Sequence, residues 1–201
     1  MYGRISALIT VMVAAILSST VQAVIAVQQT AANKIGFSLY QKSQYRFKIQ
    51  YPSGWIVNSE PGNISLFSFS SPINKPGQLI QDAELIIEIR NVSQYLDEKK
   101  LVLKNKTAYD YIQDFLKTSG PNPQIGVDIR PIRVNSTTVT GVEAWSVDYV
   151  FNAEDEQTFF RETYMVSNCK LYRFTYLSPS LKVPATLPVA QKMIDSFQFT
   201  K

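Results

Sequence analysis

The sequence contains no histidine. That excludes Ser-His-Asp and Cys-His catalysis and every metal site that depends on an imidazole nitrogen. There is one cysteine, Cys169, so the chain has no disulfide framework, and no lipid-carrying cysteine follows the apolar N-terminal stretch. The eight glycines fall into no GxSxG, GxGxxG or P-loop spacing, which removes the nucleophile elbow and the phosphate-cradling loops. Charged residues make up only 18% and the net charge of +4 is dispersed. With no basic stripe interleaved with aromatics, nucleic acid is not an expected partner. These absences read as a non-enzyme.

What is present is a chain able to bury a good core. It has 201 residues, 45% of them hydrophobic, and at that size no disulfide or metal is required for stability. Eleven Tyr and eleven Phe suit a sheet-rich globule, because aromatic rings pack well on a pleated surface. The N-terminal text belongs to another regime. MYGR is cationic, residues 5–17 are a mostly apolar run without a charge, and SSTVQA turns polar and small. This is the layout of a secretory signal over 1–23, with Ala23 or Ala26 before the cut. The alternative is an uncleaved anchor reaching about residue 27, since about 20 apolar residues cross a bilayer. Either reading places a short tail (24–36) and a domain (37–201) outside the cytoplasm. Four Asn-x-Ser/Thr sequons, at Asn63, Asn91, Asn105 and Asn135, are glycosylation candidates if the chain meets that machinery, and as such are expected in exposed loops.

Along the domain, Tyr45, Phe47, Ile49 and Tyr51 alternate with Arg46, Lys48 and Gln50, the period of a half-buried strand. Tyr51-Pro52-Ser53-Gly54 predicts a turn, with Pro setting φ at the second position, and Trp55 re-enters as a strand and a core residue. Strands follow at 64–70 and 85–92. Thr107 and Asp110 form a capping-box pattern ahead of a helix whose apolar face is Ala108, Tyr111, Ile112, Phe115 and Leu116, ended by Gly120-Pro121. The second half reads as antiparallel: 125–134 alternates, Trp145 to Phe151 and Phe160 to Val166 form a hairpin, and SNCK reverses into Tyr172, Phe174 and Tyr176. A helix over 186–196 and a short FQF strand close the chain. Strands, helix, meander and helix in that order predict an α+β sandwich in one domain, with an antiparallel sheet flanked by helices.

YPSGW (Tyr51, Pro52, Gly54 and Trp55), GVEAWSVDY (with Trp145 and Tyr149), YRFTY (with Tyr172) and IDSF (ending at Phe197) occur in that order. On these motifs, the stretch from about 37 to 199 resembles the PsbP family, extrinsic proteins of photosystem II and their wider prokaryotic relatives. The resemblance implies a PsbP-like sandwich and a non-enzymatic accessory protein, exported and extrinsic to a membrane, that binds or stabilises a membrane complex. In a phototroph that complex is the photosystem II oxygen-evolving complex, with calcium and chloride retention, and the location is the thylakoid lumen. Otherwise it is the periplasm or cell surface. The alternative is a secreted or surface-anchored ligand-binding protein with a pocket between sheet and helix. A hydrolase with an unrecognised site is a third reading.

Three residue groups carry the chemical expectations. Glu154, Asp155 and Glu156 at a hairpin tip offer oxygens to calcium, held weakly because they lack a cage of six to eight ligands. A merely solvated tip is the alternative. Lys42, Arg46 and Lys48, read as sharing the outer side of one strand, offer a basic face to an acidic partner or an anionic membrane surface. Cys169, in a tight turn, reads first as buried and inert, with a free thiol or an interchain pair as alternatives.

Overall fold

A computed structural model of the chain describes residues 36–60, 64–72, 82–91, 106–122, 127–153 and 156–201. The leader, its anchor alternative and all of the tail but Gly36 lie outside them. Phe37–Lys201 forms one compact unit. Its strands are β1 (Phe37–Lys42), β2 (Phe47–Pro52), β3 (Ile56–Glu60), β4 (Ile64–Ser70), β5 (Glu84–Asn91), β6 (Gly120–Asn122), β7 (Val127–Val139), β8 (Val142–Ala153), β9 (Glu156–Ser167), β10 (Lys170–Pro179) and β11 (Gln198–Phe199); the helices are α1 (Ala108–Thr118) and α2 (Val183–Asp195). They make a three-stranded sheet, β1-β2-β11, and an eight-stranded sheet, β3-β4-β5-β10-β9-β8-β7-β6. The paired strands are antiparallel throughout. This is the expected single-domain α+β sandwich.

The large sheet is covered on both faces. Its inner face carries Phe67, Phe69, Leu85, Ile87, Tyr172, Phe174 and Tyr176 against Phe47 and Ile49 of the small sheet and Ala190, Met193 and Ile194 of α2. Its outer face carries Val147, Tyr149, Tyr164 and Leu171 against Ala108 and Ile112 of α1, with Tyr111, Phe115 and Leu116 beside them. The α1 stripe is therefore the one its i, i+3, i+4 spacing predicts. Its cap forms as expected: the Thr107 hydroxyl accepts from the Asp110 amide at 3.3 Å, and the Asp110 carboxylate accepts from the Thr107 amide at 2.7 Å.

Several boundaries differ from the sequence reading, each for a local reason. The Pro-Ser-Gly corner is shifted by one residue: the Trp55 amide donates to the Pro52 carbonyl at 2.9 Å, so Pro52 opens the turn and still pairs with Phe37 in β2. The corner carries the chain from the small sheet into the large one. Trp55 is not a core residue; it is half-buried and packs on the rim of the inner core. Tyr45 lies in a short 3-10 turn and Arg46 in a left-handed one, so the strand begins only at Phe47. α2 starts at Val183 rather than 186, because Pro184 in a first turn has no partner for the amide it lacks. The β7–β8 register slips between Pro131 and Arg133, where proline cannot donate to the ladder and Ile132 bulges outward.

Candidate functional site

The inner face changes character at β7, β8 and β9. Cross-strand partners share a face, and Asn135 lies opposite Ser146, which lies opposite Thr163. The neighbouring row is Arg133, Asp148 and Arg161. Ser146, Asp148 and Thr163 are 7%, 5% and 3% exposed, polar groups at positions where the adjoining strands carry rings. The Arg161 guanidinium donates to both oxygens of Asp148, Nε to Oδ1 at 2.6 Å and Nη2 to Oδ2 at 2.8 Å. Its Nη1 donates to Gln191 Oε1 on α2 at 3.2 Å, and Gln191 Nε2 donates to Asp195 at 2.9 Å. The Asp148 hydrogen bonds, against the opposing effect of burial, hold the Arg161 pKa above its ordinary value. A bidentate pair of this kind fixes orientation as well as charge.

Beside this chain of bonds lies a cleft of about 200 Å³, between β7–β9 and α2. Asn135, Ser146, Arg161, Thr163 and Gln191 are among the residues that line it, and Val139 and Ile194 are its apolar contributors. Among the described residues no hydrogen bond joins the Ser146 or Thr163 hydroxyl to another protein group, and neither oxygen is a fully buried atom without a partner. Both therefore open on the cleft and can bond to whatever occupies it.

The outer face holds a second polar group, and this one is closed. Tyr149 donates to Glu162 Oε1 at 3.1 Å and Tyr164 to Glu162 Oε2. Arg173 bridges Glu162, at 3.9 Å, and Glu88, while Arg90 also meets Glu88. Two carboxylates and two guanidiniums cancel, and the phenols add two hydrogen bonds to Glu162, while Arg173 Nε is buried without a hydrogen-bond partner among the described residues. Burial first, then the neighbouring Glu162 charge, pushes both tyrosines well above their ordinary pKa. The network ties β5, β10, β9 and β8 together under α1.

The PsbP family model matches residues 35–199. The chain belongs to the PsbP family. Among curated proteins none matches by sequence. Of solved structures, that of cyanobacterial PsbP (CyanoP) from Synechocystis sp. PCC 6803 is similar at a TM-score of 0.59 and 17% identity, covering 82% of this chain and 93% of that one. LpqN, described as involved in cell envelope biogenesis of Mycobacterium tuberculosis, is similar at 0.51 and 9% identity, covering 84% and 86%. A point mutant of Mog1 is similar at 0.52 and 9% identity, covering 83% and 97%. At these identities the likeness is one of fold.

The PsbP signature residues are architectural. Phe197 is fully buried, stacked on Phe47 at 5.4 Å and edge-on to Phe174 at 5.1 Å. Tyr172 packs against it at 5.9 Å. Tyr51 lies against Phe69, Pro52 is buried, and Gly54 occupies the turn. Trp145 is half-buried on the outer face, against Tyr109 at 4.6 Å, and donates to Glu143 at 2.8 Å.

The chemical candidates fare unevenly. Lys42, Arg46 and Lys48 do not share one strand face: Lys42 ends β1 opposite Phe47, Arg46 sits in the turn, and Lys48 lies opposite Gln41 on the other face of the small sheet. They remain neighbours at one end of a hairpin, residues 37–52, that contains no carboxylate. Glu154 and Asp155 lie outside the described residues, and Glu156 opens β9. Asn63 and Asn105 also lie outside them. Asn135 is in mid-strand and Asn91 ends β5, so neither is in the loop expected for a sequon. Cys169 is exposed rather than buried, because Asn168 and Cys169 both take positive φ, 52° and 57°, in the hairpin turn.

The polar row on the inner face was missed in the sequence. Trp145, Val147, Tyr149 and Phe151 mark one buried face, and the intervening Ser146 and Asp148 then read as facing solvent. The usable signal was that Phe160, Glu162 and Tyr164 in the next strand also put a charge among aromatics, which suits a sheet buried on both sides.

Proposed function

We propose that this PsbP-family protein is a non-enzymatic, exported accessory protein that docks on the outer side of a membrane complex. The observation that carries this reading is the family match over residues 35–199, which spans the compact unit almost completely. Docking would use the β1–β2 hairpin. β1 is an edge strand of the small sheet, Leu39 on it is 59% exposed, and the β1–β2 hairpin carries Lys42, Arg46 and Lys48 about its turn with no carboxylate of its own. An exposed edge supplies backbone donors and acceptors, and the cations steer the approach. In a phototrophic source the complex would be photosystem II. Calcium, if retained there, would be bound weakly by Glu154, Asp155 and Glu156.

The test is co-sedimentation of the full chain with membranes of its own source across a salt series. Reversing Lys42, Arg46 and Lys48 to Glu should slow association and flatten its salt dependence while leaving the circular dichroism spectrum unchanged. Binding indistinguishable from the parent at every salt concentration would move the docking surface elsewhere.

A second reading, a small-molecule-binding protein, is favoured by one observation: the cleft between β7–β9 and α2, walled by two hydroxyls that bond to no other group among the described residues. The two readings use different elements and are compatible.

A further inference from the structure

From the ligand-binding reading, on which this step rests, we infer that the cleft takes a small neutral polyol or a single hydroxylated ring, bound by Asn135, Ser146, Thr163 and Gln191. The lining decides the class. The Asn135 amide offers both donors and acceptors, Gln191 keeps one N–H and one lone pair beyond its bonds to Arg161 and Asp195, and each hydroxyl offers one donor and two acceptors, the complement of a molecule with hydroxyls on every carbon. Size sets a limit as well. At about 30 Å³ per water, a 200 Å³ cleft holds roughly seven waters, enough to enclose one small ring or a short chain.

Charge removes the competing classes. Arg161 is the cation of the lining, and it is already spent on Asp148 through two hydrogen bonds. Gln191 links it further to Asp195, a second carboxylate. An anionic ligand would meet a cation whose field is cancelled, with another acid nearby. An apolar ligand would strand the Ser146 and Thr163 hydroxyls without partners, which costs more than contact with Val139 and Ile194 returns. A hard cation would find one buried carboxylate, Asp148, with both oxygens engaged. A neutral polyol satisfies the hydroxyls and leaves the Arg161–Asp148 pair intact.

Arg161 then acts as a positioning residue. Asp148 fixes it from the sheet, and it fixes Gln191 on α2, so the helix-borne amide is held over the Asn135–Ser146–Thr163 row before any ligand arrives. Such prior ordering reduces the entropic cost of binding.

The experiment is a titration of the isotopically labelled full chain followed by amide chemical shifts, using glycerol, myo-inositol and glucose, then glycolate and succinate as anionic controls. Saturable shifts confined to residues around 135, 146, 163 and 191 with a polyol are expected. Thr163→Val, which keeps the shape and removes the hydroxyl, should weaken that binding about three- to tenfold with no loss of melting temperature. Ser146→Ala should act in the same direction. If the anions give the saturable shifts and the polyols do not, the ligand class is wrong and the ligand-binding reading stands. If none of these molecules moves the cleft amides, both fall and the cleft holds water only. If Thr163→Val lowers the melting temperature and leaves affinity untouched, the hydroxyl is structural and the inference is overturned.

Discussion

The inner face of the large sheet is finished in two ways. Over β4, β5 and β10 it is closed by rings: Phe67 lies 5.0 Å from Phe47, Phe197 stacks on Phe47, and Phe174 and Tyr172 meet Phe197 edge-on. Over β7, β8 and β9 the same face and the same helix enclose an Arg–Asp–Gln chain and a cleft. Aromatic packing is dense and adapts by small ring tilts, so it leaves no space. Hydrogen-bonded polar groups have fixed lengths and directions, so they hold two elements apart at a set distance. The cleft exists because the second kind of contact replaces the first.

The comparison gives an order of effects. Phe197→Ala removes the ring on which four aromatics converge, and it should cost about 3–5 kcal/mol, read as a lower urea midpoint at unchanged slope. Asp148→Asn strips the charge that balances Arg161. Because the Arg161 side chain is 18% exposed, the cost should fall below the fully buried range, at about 2–4 kcal/mol. Replacing the pair together by Leu and Met should recover most of it, as a double-mutant cycle would show. Recovery in the double variant would establish that the polar end is maintained for something other than stability.

Trp55→Ala tests the rim of the ring end. Half-buried and outside the packed centre, Trp55 should be worth only about 1–2 kcal/mol in the same unfolding experiment. A loss as large as that of Phe197 would show that the corner belongs to the core after all. The smallest effects lie on the other face, at the α1 cap, where Thr107→Ala should cost about 1 kcal/mol. Hydrogen bonds from the Thr107 amide and hydroxyl hold the Asp110 carboxyl below the usual carboxylate range. Its folded pKa is lower than its unfolded one, so the stability it adds is present above the ordinary Asp value and is lost as pH falls through the folded value. Asp110→Asn should therefore flatten the acid limb of the melting-temperature profile, while the limb above pH 5 keeps the parent's shape.

Much of this fold was legible before any coordinates. The α1 face and cap, the strand over 64–70, the hairpin of Trp145–Phe151 with Phe160–Val166 and the Asn168-Cys169 reversal all rest on local chemistry: period, capping and turn residues. The places where reading failed are those where a local signal has two outcomes. Tyr45 has the parity of a strand residue but ends a 3-10 turn. Pro184 looks like a loop residue yet lies in α2. Ser146 and Asp148 alternate with large apolar side chains, as solvent-facing residues do, and are buried because a second layer covers them.

The sequence by itself determined that this chain folds as a PsbP-like α+β sandwich without histidine or disulfide chemistry, since composition, periodicity and four ordered motifs are properties of the chain alone. Only the tertiary structure decided which polar residues are inside. Whether a strand has one buried face or two depends on what packs against it from elsewhere in the chain. Here α2, which follows β9 by way of β10, turns Ser146, Arg161 and Thr163 from a polar strand face into the wall of a cleft.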